Sequence, residues 1–185
     1  CCRTARNGRL FDPGVERRSA VVTSALSARS KGHNVVASEI VLDSGPLGLV
    51  TNPRASEQSI ACLRWVQQSL AAGGRIIVPE IADYEVRREL LRVERRAGLA
   101  RLDVFVRQVD YLPITTSAIR LAAQLWARTR QQGKPTADNR ALDGDVILAA
   151  QVLTSEFPQA AVATLNIRHI ALFVPAASWT ELVVK

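Results

Sequence analysis

Residues 141–151 read ALDGDVILAAQ, in which two aspartates flank a glycine and an apolar run follows at once. The run has helical spacing, with apolar side chains at i, i+3, i+4 and i+7, and so predicts a helix with one buried face. The residues on that face are Val146, Ala149, Ala150 and Leu153. Asp143 and Asp145 fall at the N-terminus of this helix, where unpaired backbone N–H groups favour negative charge. Either aspartate alone is explained as a helix cap, and only acids elsewhere in the chain suggest a functional site.

Outward from this stretch, the chain alternates between short apolar runs and amphipathic segments. The predicted strands are 35–42, 75–79, 111–114, 161–165 and 171–174. The predicted helices are 46–50, 56–72, 81–97, 102–109, 116–132 and 143–155. Strands that alternate with helices on short connections predict an α/β sandwich around a mainly parallel sheet.

Three local features make this prediction more specific. The helix at 56–72 has an apolar stripe that we expect to face the core, namely Ile60, Leu63, Val66 and Leu70. Gly98 is expected to interrupt the helical segment around it. Pro113 cannot donate a hydrogen bond, which restricts the strand at 111–114 to an edge of the sheet.

Length, composition and charge indicate one folded domain. The chain has 185 residues, 48% of them apolar, and no apolar run approaches the ~20 residues that a membrane-spanning helix needs. Residues 1–33 carry seven Lys or Arg against two acids, a net charge of +5, whereas the remainder carries seventeen against fifteen, a net charge of +2. We therefore expect a disordered basic tail at 1–33 and a folded, soluble domain at 34–185.

The cysteines and histidines exclude several kinds of site. Cysteines at positions 1, 2 and 62 make neither a disulfide framework nor a zinc spacing, which is typical of a protein in a reducing cytoplasm. Because the chain has only two histidines, His33 and His169, a bound metal is expected to be a hard cation held by oxygen atoms.

Polar residues follow the predicted strands at the edge where functional crevices form in parallel sheets. Asp43 and Asn166 come after strands, Asp145 opens a helix, and Glu85 lies one turn into the helix after the strand 75–79. Several carboxylates at one edge repel each other unless a cation neutralises them. The sequence therefore predicts a divalent-metal site that includes these residues.

Four segments, taken in order, resemble the motifs of PIN-domain ribonucleases, a class that includes the toxins of VapC-type toxin–antitoxin pairs. They are LDSG at 42–45, YEVRREL at 84–90, DVILAA at 145–150 and TLNIRH at 164–169. The resemblance extends over about residues 36–182. It implies a PIN-like three-layer sandwich with helices on both faces of the sheet, and Mg²⁺- or Mn²⁺-dependent hydrolysis of RNA. It also implies an antitoxin protein as partner, and we expect a homodimer.

The resemblance assigns a role to each site residue. Asp43, Glu85 and Asp145 match the family's three metal-binding acids, and Asn166 stands where many members carry a fourth acid. The resemblance also singles out two hydroxyl residues that support the site, Ser44 and Thr164, and Asp143 as an extra acid for a second ion. A metal held by these residues would lower the pKa of a bound water and neutralise charge on the attacked phosphate, so no histidine base is required.

Other residues have simpler interpretations. The acids Glu80, Asp83 and Glu89 are alternatives to Glu85, and we expect Glu89 to pair with Arg92 or another arginine. The arginines at 87–96 form either a solvated helix face or contacts to RNA phosphates. We interpret His169 as a packed or capping residue, the three tryptophans as core or dimer contacts, and Cys62 as an inert buried thiol.

Competing functions have less support. A phosphoacceptor receiver domain needs a lysine after its last strand, and Lys31, Lys134 and Lys185 are not so placed. An aspartate-nucleophile phosphatase needs a second Asp two residues after Asp43, where Gly45 stands, and no phosphate-binding loop of the GxxxxGK[ST] type occurs. The remaining alternative is a catalytically inactive PIN-like module that binds RNA or protein.

Overall fold

The computed structural model describes residues 35–54, 56–138 and 142–184. The predicted tail at 1–33 lies outside the described residues. The strands are β1 (Val35–Val36), β2 (Glu39–Leu42), β3 (Arg75–Pro79), β4 (Asp110–Leu112), β5 (Ala161–Ala163), β6 (Ala176–Ala177) and β7 (Leu182–Val183). The helices are α1 (Ser44–Val50), α2 (Glu57–Ala71), α3 (Glu80–Arg92), α4 (Arg96–Val106), α5 (Thr116–Gln131), α6 (Gly144–Thr154) and α7 (Ile167–Ile170).

Five of these strands form a parallel sheet in the order β4-β3-β2-β5-β6. The chain proceeds from β2 outward to β4, then returns to place β5 on the other side of β2. The strand order thus reverses between β2 and β5, and the carboxyl ends of these two strands border the switch point. A separate parallel pair joins β1 to β7.

Alternate residues of each central strand supply apolar side chains to two separate cores, one on each face of the sheet. Ile76 and Val78 face one core, whereas Ile77 between them faces the other. The first core packs under α1, α2 and α4, and the second under α5 and α6. The mainly parallel, three-layer α/β architecture that the sequence predicts is confirmed.

Capping side chains explain where four of the helices begin. Ser56 and Thr115 accept hydrogen bonds from backbone N–H groups at the starts of α2 and α5. Asp43 and Asp143 do the same at the starts of α1 and α6. Thr115, the cap of α5, directly precedes the predicted start of that helix at residue 116. In the described part of the chain, no helix combines the length and apolar character needed to cross a bilayer.

The predicted inner face of α2 is wrong. Ile60, Leu63 and Leu70 are 37%, 39% and 42% exposed, and only Val66 of the predicted stripe is buried. The buried face instead consists of small side chains, namely Ser59, Cys62, Val66 and Ser69. Helix α2 packs against α1 and β3 through this face of small side chains, and the larger apolar residues of the predicted stripe are left at the surface.

Two other local predictions are wrong. Gly98 does not end a helix but lies buried within α4, where a Cβ would stand 2.7 Å from Leu90 Cδ2 of α3. The real break is at 93–95, where Glu94 has a left-handed φ of 53°. Residues 171–174 form turns after α7, not a strand, because the buried Ile170 and Val174 fill the core beneath the turn.

Candidate active site

The candidate site lies at the carboxyl ends of β2 and β5, where the strand order reverses. Asp43 follows β2 directly, and Thr164 follows β5 directly. The start of α6 brings Asp145 to the same edge, and α3 packs against α6. Residues more than 100 positions apart in sequence thus meet because neighbouring parallel strands end together.

Hydrogen bonds hold the Asp43 carboxylate in one orientation. The Ser44 backbone N–H donates to Oδ1 at 2.7 Å, and the fully buried Thr164 hydroxyl donates to Oδ2 at 2.6 Å. The same hydroxyl accepts a hydrogen bond from the Asn166 backbone N–H at 2.8 Å. Asp43 is only 8% exposed, and each of its oxygens keeps lone pairs for a further ligand.

A second group of hydrogen bonds surrounds the Asp145 carboxylate. Asn166 Nδ2 donates to Asp145 Oδ2 at 2.5 Å, and His169 Nδ1 lies 3.2 Å from the same oxygen. Asn166 Nδ2 and His169 Nδ1 are 3.1 Å apart. A continuous chain of contacts therefore links Asp43 through Thr164 and Asn166 to Asp145.

Burial, which is the largest cause, and the negative charge of Asp43 raise the pKa of Asp145 from an ordinary value near 3.8 to about 6. Hydrogen bonding and positive charge at His169 oppose this rise, and Asp143 adds a smaller repulsion. Asp43 and Asp145 are thus close enough for their charges to interact. Such repulsion is the situation that a bound cation relieves.

Glu85 reaches the same edge from α3. Its Oε1 lies so close to Gly144, the first residue of α6, that a Cβ at that position would overlap it. Glycine at position 144 therefore leaves the space that the Glu85 carboxylate occupies, beside Asp145. Nothing in the apolar periodicity of α6 indicates this role, although the glycine between two aspartates is visible in the sequence.

Asp143 is held by protein donors. Its Oδ1 accepts a hydrogen bond from the Val146 N–H at 3.3 Å, and its Oδ2 accepts one from the Thr136 hydroxyl at 2.6 Å. Arg130 Nη1 lies 3.6 Å from the same Oδ2. These contacts are those of a helix cap that anchors the loop before α6, and the role of Asp143 toward a second ion stays a prediction.

The three acids that could be mistaken for Glu85 have other partners. Glu80 accepts a hydrogen bond from the backbone N–H of residue 114 at 2.6 Å. Asp83 pairs with Arg87 at 3.0 Å, and Glu89 pairs with Arg92 at 2.8 Å. The expected pairing of Glu89 is confirmed, and none of the three approaches Gly144 as Glu85 does.

The donor set suits a hard cation, but the site is not a preformed cage. Asp43, Glu85 and Asp145 offer carboxylate oxygens, which Mg²⁺ prefers. Within the described ranges, however, no three Asp, Glu, His or Cys side chains are arranged to hold a metal ion. Mg²⁺ keeps several waters and needs only one or two carboxylates together with substrate phosphate, so the residues fit a cation completed by water and substrate.

His169 lies at the candidate site, whereas its sequence context predicted only a packed or capping residue. The side chain is 41% exposed and touches both Asp145 and Asn166. Its spacing of three residues from Asn166, across the start of α7, places both side chains on one side of that short helix. This i, i+3 spacing is the signal that sequence reasoning could have used.

The other residues that the sequence analysis considered lie in the core or between helices. The Trp65 and Trp179 rings are 5.9 Å apart, and Trp65 Nε1 donates to the Leu182 carbonyl at 2.9 Å. The Arg130 guanidinium lies 3.8 Å above the Trp126 ring. Cys62 is fully buried, and burial raises the pKa of its thiol to about 12, as expected for an inert thiol.

Comparison with solved structures identifies the same fold in three VapBC structures. The chain aligns with VapBC2 from Rickettsia felis, bound to a DNA fragment from their promoter, at a TM-score of 0.56 and 14% identity; the alignment covers 76% of this chain and 99% of that one. VapBC-1 from nontypeable Haemophilus influenzae gives 0.55 at 14% identity, over 77% and 98%. DNA-bound VapBC from Salmonella typhimurium gives 0.53 at 17% identity, over 76% and 98%.

No protein-family model matches the sequence, and no curated protein matches it. At 14–17% identity, the structural likeness demonstrates the fold and not the activity. The predicted PIN-like fold is therefore confirmed over nearly the whole length of the matched chains.

Proposed function

We propose that the protein is a divalent-metal-dependent endoribonuclease, the toxin component of a toxin–antitoxin pair. The observation that carries the proposal is the chain of contacts from Asp43 through Thr164 and Asn166 to Asp145, with Glu85 alongside. It lies at the switch point of the sheet, where α/β folds bind their ligands. The likeness of the fold to VapBC complexes supports this proposal.

Each residue has a distinct task in the proposed reaction. Asp43, Glu85 and Asp145 would hold a Mg²⁺ or Mn²⁺ ion, which would supply an activated water and positive charge at the attacked phosphate. Thr164 positions Asp43 through its 2.6 Å hydrogen bond. Asn166 positions Asp145 through its side-chain amide and orients a water or the substrate. The water oxygen forms a new bond to phosphorus and releases a proton to solvent, as the P–O ester bond to the neighbouring nucleotide breaks and its leaving oxygen takes up a proton from solvent.

Cleavage of a mixed RNA by the purified full chain tests this proposal. We expect cutting with Mg²⁺ or Mn²⁺, none with EDTA, and none from the Asp43→Asn or Asp145→Asn variants, each with an unchanged circular dichroism spectrum. Glu181→Gln is the matched control, because Glu181 is an exposed glutamate next to β7, outside the candidate site. RNA binding without cleavage in either metal would contradict the proposal and favour the inactive binding module.

The proposal includes a protein partner that restrains the enzyme, and it places the pair in the cytoplasm. An apolar groove of about 490 Å³ lies between α2 and α4 and is lined by Val50, Leu63, Val104 and Phe105. Leu63 and Val104 are 39% and 47% exposed, which is the kind of surface that protein partners cover. We assign it to the antitoxin because the matched structures are complexes of two different proteins.

Substitution in this groove tests the assignment. Leu63→Glu with Val104→Glu should weaken inhibition by the co-expressed antitoxin at least tenfold while the free enzyme cleaves RNA as before. Ile119→Glu is the control, since Ile119 is 46% exposed on α5, away from the groove. If the antitoxin inhibits the wild type, the Leu63→Glu/Val104→Glu variant and Ile119→Glu equally, the assignment of the groove is wrong. Sedimentation of the free chain tests the expected homodimer separately, and a sedimenting monomer would contradict it.

A further inference from the structure

A cleft of about 650 Å³ opens next to the candidate site. Ser44 and Glu85 line its inner end, and from there it runs between the segment 51–54 and helix α3. Gly45 and Gly48 form part of its wall, and at Gly48 a Cβ would meet nothing closer than 4.0 Å. A ligand in this cleft would therefore lie directly beside the acids that we propose as catalytic.

The cleft wall is positively charged. Four arginines line it, Arg54, Arg88, Arg92 and Arg95, against the two glutamates Glu85 and Glu89. Arg92 is occupied by its 2.8 Å ion pair with Glu89. Among the described residues, no ion pair involves the other three arginines, and all three are exposed.

An aromatic surface stands next to these cations. Tyr84 is 48% exposed and lies one helical turn before Arg88, whose guanidinium carbon is 5.4 Å from the centre of the Tyr84 ring. Exposed aromatic rings beside cationic grooves are the elements that proteins use to bind single-stranded nucleic acids, with bases on the rings and phosphates in the groove.

We propose that this cleft binds the nucleotides next to the cleaved bond of a single-stranded RNA, with their phosphates at Arg54, Arg88 and Arg95. This inference rests on the proposed function, since it takes Glu85 and Asp43 as the place of cleavage. The three arginines supply affinity and position the strand, and they do not read its sequence. Tyr84 offers its ring to a base.

Two considerations favour a single strand. The cleft volume of about 650 Å³ lies within the roughly 300–1,000 Å³ range of pockets that enclose small ligands, which is room for a few unpaired nucleotides. The three arginines outside ion pairs also line the same cleft as Ser44 and Glu85, so they offer several cations to successive phosphates of one strand. An acidic peptide segment is the other ligand that such a surface could take, and the experiment distinguishes the two.

The test measures binding in the Asp43→Asn background, in EDTA, so that no cleavage occurs. The probe is a fluorescein-labelled mixed-sequence RNA of about 12 nucleotides, single-stranded or annealed to its complement. Its Kd is measured across a range of salt concentrations for Arg54→Gln, Arg88→Gln, Arg95→Gln and the triple variant. Arg120→Gln is the matched control, because Arg120 is exposed on α5, over the opposite face of the sheet.

We expect each cleft variant to lower the slope of log Kd against log salt by about 0.7, the value for one single-strand phosphate contact, and the triple variant to lower it by about 2. Arg120→Gln should leave the slope unchanged. Equal slopes in all variants would overturn the inference, as would equally tight binding of the duplex. Arginine-dependent binding of poly-glutamate without arginine-dependent binding of RNA would also overturn it, in favour of an acidic peptide.

Cleavage kinetics separate this inference from the proposed function. In the otherwise unchanged chain, the triple variant should raise KM about tenfold or more and leave kcat unaltered, because the arginines hold RNA equally in the ground and transition states. A triple variant that cleaves RNA with an unchanged KM would contradict RNA binding in the cleft without contradicting the proposed nuclease activity. If the wild-type chain binds RNA through these arginines but never cleaves it, the result would support RNA binding in the cleft and contradict the proposed nuclease activity.

Discussion

Asp145 makes the stability of the metal-free protein depend on pH in a direction opposite to that of a salt-bridged carboxylate. Burial and the charge of Asp43 raise its pKa to about 6 from near 3.8, so the folded state binds this proton more tightly than the unfolded state. The contribution of Asp145 to the free energy of unfolding is therefore fully present below about pH 4 and is lost as the pH rises through about 6.

The size of the effect follows from the shift. Two pKa units correspond to about 3 kcal/mol, since each unit is worth about 1.4 kcal/mol. The side chain of Asp145 is 20% exposed, so solvent screening makes this figure an upper bound. We expect a loss of about 1–3 kcal/mol between about pH 4 and about pH 7.

The assay compares urea unfolding of the metal-free wild-type chain and Asp145→Asn across this pH range, in EDTA. The difference in unfolding free energy between the two proteins isolates the group, because other carboxylates titrate in both. Wild type should lose about 1–3 kcal/mol relative to Asp145→Asn as the pH rises. A difference that stays constant, or that shifts in favour of the wild type as the pH rises, would refute the reasoning and mark Asp145 as a stabilising helix-start acid.

Asp43→Asn provides a further check on the cause. Burial is the largest contribution to the raised pKa of Asp145, and the charge of Asp43 is the next. Removing that charge should therefore shrink the pH-dependent difference without abolishing it. Complete loss of the difference would show that charge repulsion, and not burial, dominates.

Three further predictions concern the scaffold and the site. Gln151→Leu should lower the free energy of unfolding in urea by about 2–4 kcal/mol, because the buried backbone N–H of Ile81 and the buried carbonyl of Leu112 lose their hydrogen-bond partner. The exposed control Gln124→Leu should change this free energy by less than about 0.5 kcal/mol. Gly144→Ala should lower the rate of RNA cleavage by about tenfold or more, because the added Cβ displaces the Glu85 carboxylate, and it should leave the Tm nearly constant. Full activity of this variant would contradict the placement of that carboxylate. Cys62, with the other two cysteines replaced by serine, should resist a thiol reagent until denaturant is added, and rapid labelling of the native chain would contradict its burial.

Local patterns determined much of this protein from the sequence alone. Helical spacing after the aspartates at 143 and 145 predicted α6, and the apolar run at 75–79 predicted β3 with its observed bounds. The alternation of these elements predicted the parallel sheet, because parallel neighbours require crossover helices. The position of Asp43 directly after a strand then predicted the edge at which a site would form.

Tertiary structure alone decided which side chains meet there. The Thr164–Asp43 hydrogen bond joins residues 121 positions apart, and it exists because β5 and β2 end side by side. The partners of His169 and the space left by Gly144 likewise depend on how α7, α6 and α3 pack. The exposed face of α2 is a further case, since its apolar residues have the spacing of a core stripe but the helix packs against α1 and β3 through its small side chains instead. Periodicity reports a local preference, whereas contacts between distant segments arise only from packing of the whole chain.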